Sequence, residues 1–262
     1  MGYERVEIRP GVECWRGDAL EVMRLLPPES VDFIFTDPSY GHNNNKDDLF
    51  ARREVALSRG KPGKPRPILN DSPAHSQATY LAALTEFKRL LRCCCWCCCC
   101  CAGGGGPDPQ FARWSLWMDA ILSFKHLVIW DKGKIGMGWE YRRSTEMVLV
   151  AVRNKGKARW YDRSHKVENI IRPGDYGIRR IVPRADQHPT EKCWQLSAHF
   201  MRLHSRKGDV VLDPFMGSGS TGEAAMRLGR RFIGIELDRK WFRKAVKRIE
   251  VSLNSPLSLR GP

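Results

Sequence analysis

Short apolar runs, each closed by a polar or turn-forming group, punctuate the chain. Val31–Phe35 runs into Thr36-Asp37, and Val210–Leu212 follows the turn-like Lys207-Gly208-Asp209 and ends at Asp213. Phe232–Ile235 ends at Glu236, while His126–Trp130 and Met147–Val152 are two further runs. Runs this short and this apolar predict strands buried on both faces, as in a parallel sheet. Between them the period changes. Tyr80–Leu91 carries Leu81, Leu84, Phe87 and Leu91 near one helical face, and Phe111–Phe124 reads as a second helix with Trp114 and Trp117 in the core. Ser220 and Thr221 open a helix that Gly229 closes as a C′ glycine, and Asp238–Ile249 reads as a final helix. In that helix Trp241, Phe242, Ala245 and Ile249 point inward, leaving Arg243, Lys244, Lys247 and Arg248 to water. Strands alternating with helices predict an α/β fold.

The segment Asp213–Glu236 has a recognisable plan of strand, glycine-rich turn, helix, strand and acid. Gly217, Gly219 and Gly222 lie in the turn, where glycine lets the backbone approach a ligand. Glu236 closes the second strand, where an acid can accept ribose hydroxyls. The glycines fit G-x-G-x-x-G, so their spacing alone leaves a dinucleotide such as NAD as an alternative ligand.

A second chemical feature follows the first strand. Asp37 stands at its carboxyl end, where α/β proteins bind ligands. An ionised carboxylate only accepts hydrogen bonds. Together with the Pro38 carbonyl it can take both N–H bonds of an exocyclic amine such as adenine N6, whose lone pair is otherwise drained into the ring. Tyr40 offers a face on which an extruded base can stack.

Read together and in this order, Asp37-Pro38-Ser39-Tyr40 and Asp213–Gly222 resemble the catalytic and cofactor motifs of β-class amino-directed DNA methyltransferases. The resemblance spans about Gly17 to Arg248. It implies a Rossmann-like methyltransferase fold, with a mostly parallel central sheet, helices on both faces and a circularly permuted motif order. It implies S-adenosylmethionine as cofactor, double-stranded DNA as substrate and a homodimer, with no metal and no obligatory protein partner. Asp37, Pro38, Ser39 and Tyr40 take the catalytic role. Asp18 and Ala19 would contact the cofactor's adenine, and His188, Thr190 and Lys192 its methionine end. Asp37, Asp213, Phe215, Gly217, Ser218, Gly219, Ser220, Thr221 and Glu236 complete the cofactor set. One departure is Ser39, where the family usually has a second proline that stiffens the loop. The implied activity is methylation of adenine N6, with N4 of cytosine as the close alternative; a DNA-binding regulator with the same fold is the alternative from another class.

Charge sharpens the choice of partner. Forty-four Lys and Arg against 29 Asp and Glu give a formal charge of +15, which calls for a polyanion. Gly41–Thr79 is a long polar segment holding Arg52 and Arg53, expected as a mobile loop ordered by DNA. Arg153–Arg184 interleaves ten basic residues with Trp160, Tyr161 and Tyr176, and 153–187 is the expected target-recognition region. The expected DNA-contacting residues are Arg52, Arg53, Tyr141, Arg142, Arg143, Arg159, Arg172, Arg179 and Arg180. All 262 residues are expected to form a single catalytic domain, cytoplasmic and without a membrane span.

Eight of the ten cysteines lie in Cys93–Cys101, interrupted only by Trp96. Neighbours in a strand face opposite ways, so the run is not a zinc pattern. Reduced cysteine is a small buryable hydrophobe, and a core strand is due at this point. A buried strand is the expectation.

Overall fold

The structure is a computed structural model that describes residues 2–41, 69–101, 110–135, 142–181, 188 and 190–253. Among the described residues nine strands form one sheet in the order β1-β2-β9-β8-β3-β4-β6-β5-β7. They are β1 (Glu4–Arg9), β2 (Val12–Arg16), β3 (Val31–Thr36), β4 (Leu91–Cys101), β5 (Ser123–Asp131), β6 (Thr145–Val152), β7 (Ile170–Ile171), β8 (Val210–Asp213) and β9 (Arg231–Glu236). The run β2-β9-β8-β3-β4 is parallel throughout; β1 and β6 join it antiparallel, and β5 pairs antiparallel with β6.

Helices cover both faces. On one side α1 (Ala19–Leu25), α2 (Pro73–Leu90) and α3 (Gln110–Ile121) bury Met23, Phe87 and Trp114. On the other, α4 (Trp194–His204), α5 (Ser220–Arg227) and α6 (Arg239–Leu253) bury Phe200, Ala224 and Phe242. All six residues of β3 are buried, as a central parallel strand requires. Its one charged member, Asp32, accepts from Arg92 at 2.6 Å and from the Val210 amide at 2.9 Å. That bond fastens the foot of β3 to the foot of β8.

The cysteine strand forms as expected. Cys95, Cys97, Cys99 and Cys101 face the α1–α3 side, while Cys98 and Cys100 face the other. Two pairing steps on β3 span Leu91 to Trp96 on β4, so the strand bulges at Cys93–Cys95, with Cys94 at φ +63°. Cys93 is exposed there. Burial pushes the deeper thiols up, Cys95 to about 11, so they stay protonated and unreactive.

Several boundaries differ from the sequence expectation. Helix α2 begins at Pro73 inside the expected Gly41–Thr79 loop, because Ser72 caps the His75 amide and Pro73 suits the first turn. Residues 42–68 lie outside the described residues. The buried stripe of α2 is Tyr80, Ala83, Leu84, Phe87 and Leu90, one step round from the expected face; Leu81 is 39% exposed and Leu91 belongs to β4. Phe124 sits in β5, not in a helix. In α6, Arg248 does not simply face water, since it pairs with Glu191 at 2.8 Å and Glu223 at 2.6 Å. Strands β1 and β2 and helices α1 and α4 have no counterpart in the sequence expectation. Among the described residues no helix is long and apolar enough to cross a membrane.

Candidate active site

The sheet reverses direction of growth between β3 and β8. From β3 the chain goes on to β4 on one side, and from β8 to β9 on the other. Ligands of open α/β sheets bind beyond the strand carboxyl ends at such a point. Here Thr36 Oγ1 donates across it to Asp213 Oδ1 at 2.9 Å, tying the two loops together.

A cleft opens above this point, and its lining comes from both loops. Asp37, Pro38, Ser39 and Tyr40 line it from the loop after β3, Phe215 and Gly217 from the turn after β8 and Glu236 from the end of β9, together with Asp18, Ala19, His188 and Thr190. Sequence reasoning missed part of the lining, including Leu69–Asp71, His75, Thr79 and Trp241, the last read only as core. The described end of the 41–79 segment thus reaches the cleft.

The catalytic-loop candidates are held from several sides. Tyr40 OH donates to Asp37 Oδ1 at 2.6 Å, and Lys192 Nζ donates to Asp37 Oδ2 at 2.7 Å. Gln110 donates to the Tyr40 carbonyl, and the Gly41 amide to Asp71 at 2.7 Å. Ser39 bonds Ser76 of α2, hydroxyl to hydroxyl, at 2.8 Å. The hydroxyl that replaces the usual proline therefore gives the loop a tie of its own. Burial pushes the Asp37 carboxyl up and the Lys192 ammonium pulls it back; burial likewise keeps the Tyr40 phenol protonated as a donor.

Lys192 was expected at the cofactor's methionine end. In the structure it is buried behind Asp37, and Glu146 of β6 lies 3.1 Å from its Nζ. Lys132, just past β5, pairs with the other oxygen of Glu146 at 3.1 Å. Burial alone would raise Glu146, but Lys192 and Lys132 bring it down to about 2. Nothing local in the sequence marks Glu146; the pairing of β6 with β4, Met147 opposite Cys101, and with β5, Glu146 opposite Trp130, brings it here.

The cofactor-side candidates divide into two groups. Glu236 accepts from the Gly217 amide at 2.9 Å and the Asp238 amide at 2.8 Å, which shapes the glycine turn, and burial raises it to about 7. Asp18 caps α1 through the Leu20 and Glu21 amides at 2.9 and 3.1 Å. The His188 imidazole meets the Trp241 ring edge-on at 4.7 Å, and burial lowers it to about 4, so it is neutral. These line the cleft. Asp213, Ser218, Gly219, Ser220 and Thr221 do not; they belong to the end of β8, the turn after it and the start of α5. A Cβ on Gly219 would lie 2.9 Å from Ala245, so this glycine lets α5 pack on α6. Asp213 is buried and raised to about 6.

The basic candidates also divide. Arg142 and Arg143 precede β6 at the cleft end of the sheet, and Arg172 follows β7 at that same end. Arg179 is exposed and Arg180 half-buried, both following the buried Ile178. Arg159 is elsewhere. Its amide bonds Cys94, its carbonyl accepts from Trp96, and its guanidinium lies 3.7 Å from Asp32, at the foot of the sheet. Trp160 and Tyr161 go with it, packing on His204 and under Arg206. Tyr176 lies against His199 on α4. Arg52, Arg53 and Tyr141 lie outside the described residues.

A family model for DNA methylases of the N6/N4 type matches residues 31–247. The type II methyltransferase M2.DpnII of Streptococcus pneumoniae is 37% identical over 247 residues, covering 89% of this chain and 87% of that protein. The DNA adenine methyltransferase YhdJ of Escherichia coli K12 is 25% identical, covering 90% and 82%. Among solved structures, the cytosine-N4-specific PvuII DNA methyltransferase superposes with a TM-score of 0.67 at 15% identity, covering 92% and 89%. The complex of M1.HpyAVI with S-adenosylmethionine superposes with a TM-score of 0.56 at 23% identity, covering 90% and 98%. These two share the fold, including the mostly parallel sheet, and the chain belongs to the N6/N4 DNA methylase family.

Proposed function

We propose that this protein transfers a methyl group from S-adenosylmethionine to the N6 amine of adenine in duplex DNA. The observation that carries the reading is the shared cleft, which is lined by Asp37 and Tyr40 together with Gly217 and Glu236. The cofactor half suits a nucleoside. Phe215 and Trp241 supply apolar walls, Glu236 an acceptor for ribose hydroxyls, and the glycine turn a place for close backbone approach. When bound, S-adenosylmethionine supplies an electrophilic methyl group.

The chain's own residues then prepare the amine. Asp37 Oδ1 and the Pro38 carbonyl accept its two N–H bonds, which favours a more tetrahedral and more nucleophilic nitrogen. The amine must displace Tyr40 OH from Oδ1, and the freed Tyr40 ring serves as the stacking face. The neutral His188 adds no positive charge beside the sulfonium. Adenine is favoured by the acidic Thr36-Asp37-Pro38 form and by the adenine activity named for YhdJ.

The cleft-end residues Arg142, Arg143 and Arg172, with Arg179 and Arg180, are read as phosphate contacts. The compact recognition region favours a homodimer on a palindromic or near-palindromic site, since a second chain supplies a second reading surface. Light scattering of the protein with DNA tests this: a particle of two chains is expected, and a monomer on DNA contradicts it. The base is tested by incubating protein, labelled cofactor and DNA, then separating nucleosides by mass spectrometry. N6-methyladenine is expected; N4-methylcytosine alone would overturn the choice of base.

A further inference from the structure

We infer that Lys192 is a positioning residue for the transfer step, held against Asp37 by Glu146, which Lys132 braces in turn. The inference rests on the reading that Asp37 accepts the target amine. Four groups of alternating sign run inward from the rim: Lys132 to Glu146 at 3.1 Å, Glu146 to Lys192 at 3.1 Å, Lys192 to Asp37 at 2.7 Å. They come from four separate parts of the chain, namely the end of β5, the start of β6, the segment before α4 and the loop after β3. Two positive and two negative charges balance, so the chain is neutral as a unit. Removing one member leaves a buried charge without its partner.

The geometry says what the chain does. Lys192 engages Oδ2 of Asp37, so Oδ1 is the oxygen left to meet an amine. Lys192 also lies 3.3 Å from Tyr40 OH, on the side from which that hydroxyl reaches Oδ1. Glu146 Oε2 lies 3.1 Å from Lys192 Nζ, so its negative charge steadies the ammonium. Lys192 therefore does two things through Asp37: it selects the presenting oxygen and it favours the ionised, accepting form.

The groups that face Asp37 are Lys192, Glu146, Tyr40, Cys100, Cys101 and Asp213. Burial keeps the tyrosine and both thiols protonated, so the nearby charges that count are Lys192, Glu146 and Asp213. Activity should be lost as pH falls and Asp37 gains its proton. Removing the positive charge of Lys192 moves that acid limb to higher pH. Removing the negative charge of Glu146 moves it to lower pH. A substitution that merely loosened the fold would shift neither limb, or both alike.

The test is a pH–rate profile of methyl transfer to DNA for the unaltered protein, Lys192→Met, Lys192→Arg and Glu146→Gln, alongside calorimetric binding of S-adenosylhomocysteine. Methyl transfer by the unaltered protein, lost in Asp37→Ala, secures the underlying reading separately. Lys192→Met is expected to lower kcat by roughly 10²-fold with its limb moved up, and cofactor-product affinity within about twofold of normal. Lys192→Arg should return the limb toward its normal place. Should Lys192→Met not fold, the near-isosteric Glu146→Gln decides alone, by a limb moved down. An unmoved limb in Lys192→Met, or an upward or unmoved limb in Glu146→Gln, would overturn the inference. So would loss of S-adenosylhomocysteine binding in Lys192→Met with the limb in place, which would make Lys192 a cofactor ligand instead.

Discussion

The two oxygens of the Asp37 carboxylate have different neighbours, and that asymmetry governs what a substitution there does. One oxygen is fixed by Lys192 and the other is covered by a tyrosine hydroxyl that a substrate can replace. Neither touches the glycine turn. Asp37→Ala is therefore expected to abolish methyl transfer while S-adenosylhomocysteine still binds, as calorimetry would show; normal turnover in that variant would remove Asp37 from the reaction. Glu236 makes a separate test possible. Burial raises its carboxyl to about 7. Its ionised form is the better acceptor for ribose hydroxyls, so cofactor affinity should be present above that value and decline as pH falls through it. Titrations between about pH 8 and about pH 6 should show this decline in the natural protein and a flat profile in Glu236→Gln.

At the level of elements, the glycines of the turn after β8 serve packing as much as ligand. Gly217 faces the cleft. Gly219 adopts φ +80° with Ala245 against it, and a Cβ on Gly222 would strike Ile249 and Phe232 at 2.5 and 2.8 Å. Gly219→Val should cost about 1–3 kcal/mol of stability from overpacking and strain, read as a lowered Tm before any effect on cofactor contacts. Unchanged Tm with lost cofactor binding would instead make Gly219 a ligand residue. The elements legible in sequence were those whose pattern is local. Val31–Phe35 and Val210–Leu212 announce buried strands, Gly229 stops its helix at φ +68°, and Asp238 caps α6. What stayed illegible depends on partners distant in sequence. Glu146 looks like any strand-end acid until β6 pairs between β4 and β5. The ion pair of Lys192 with Asp37 joins two segments far apart in sequence, and neither segment announces it. The short amphipathic strands β1 and β2 show little apolar excess, since β1 is an edge strand with mostly exposed residues.

Across the whole molecule, the basic residues expected to contact DNA divide between the two ends of the sheet. Arg142, Arg143 and Arg172 stand at the cleft end, while Arg159 and its aromatic neighbours are tied to the foot by the bulge in β4. The sequence could not separate these groups, because Arg153–Arg184 reads as one basic stretch although Arg159 lies at the foot and Arg172 at the cleft end. Reversing Arg142 and Arg143 to Glu should weaken DNA binding by roughly tenfold or more and flatten its steep salt dependence, measured by fluorescence anisotropy. Reversing Arg159 should alter affinity far less; an equal loss would place DNA at the foot of the sheet. The central claim is that one cleft joins a methyl donor to an adenine amine. It is tested most directly by incubating the protein with isotopically labelled S-adenosylmethionine and duplex DNA, digesting the DNA and weighing the nucleosides. Label in N6-methyladenine, absent with Asp37→Ala, is the expected result. Binding of both partners with no labelled nucleoside of any kind would contradict it.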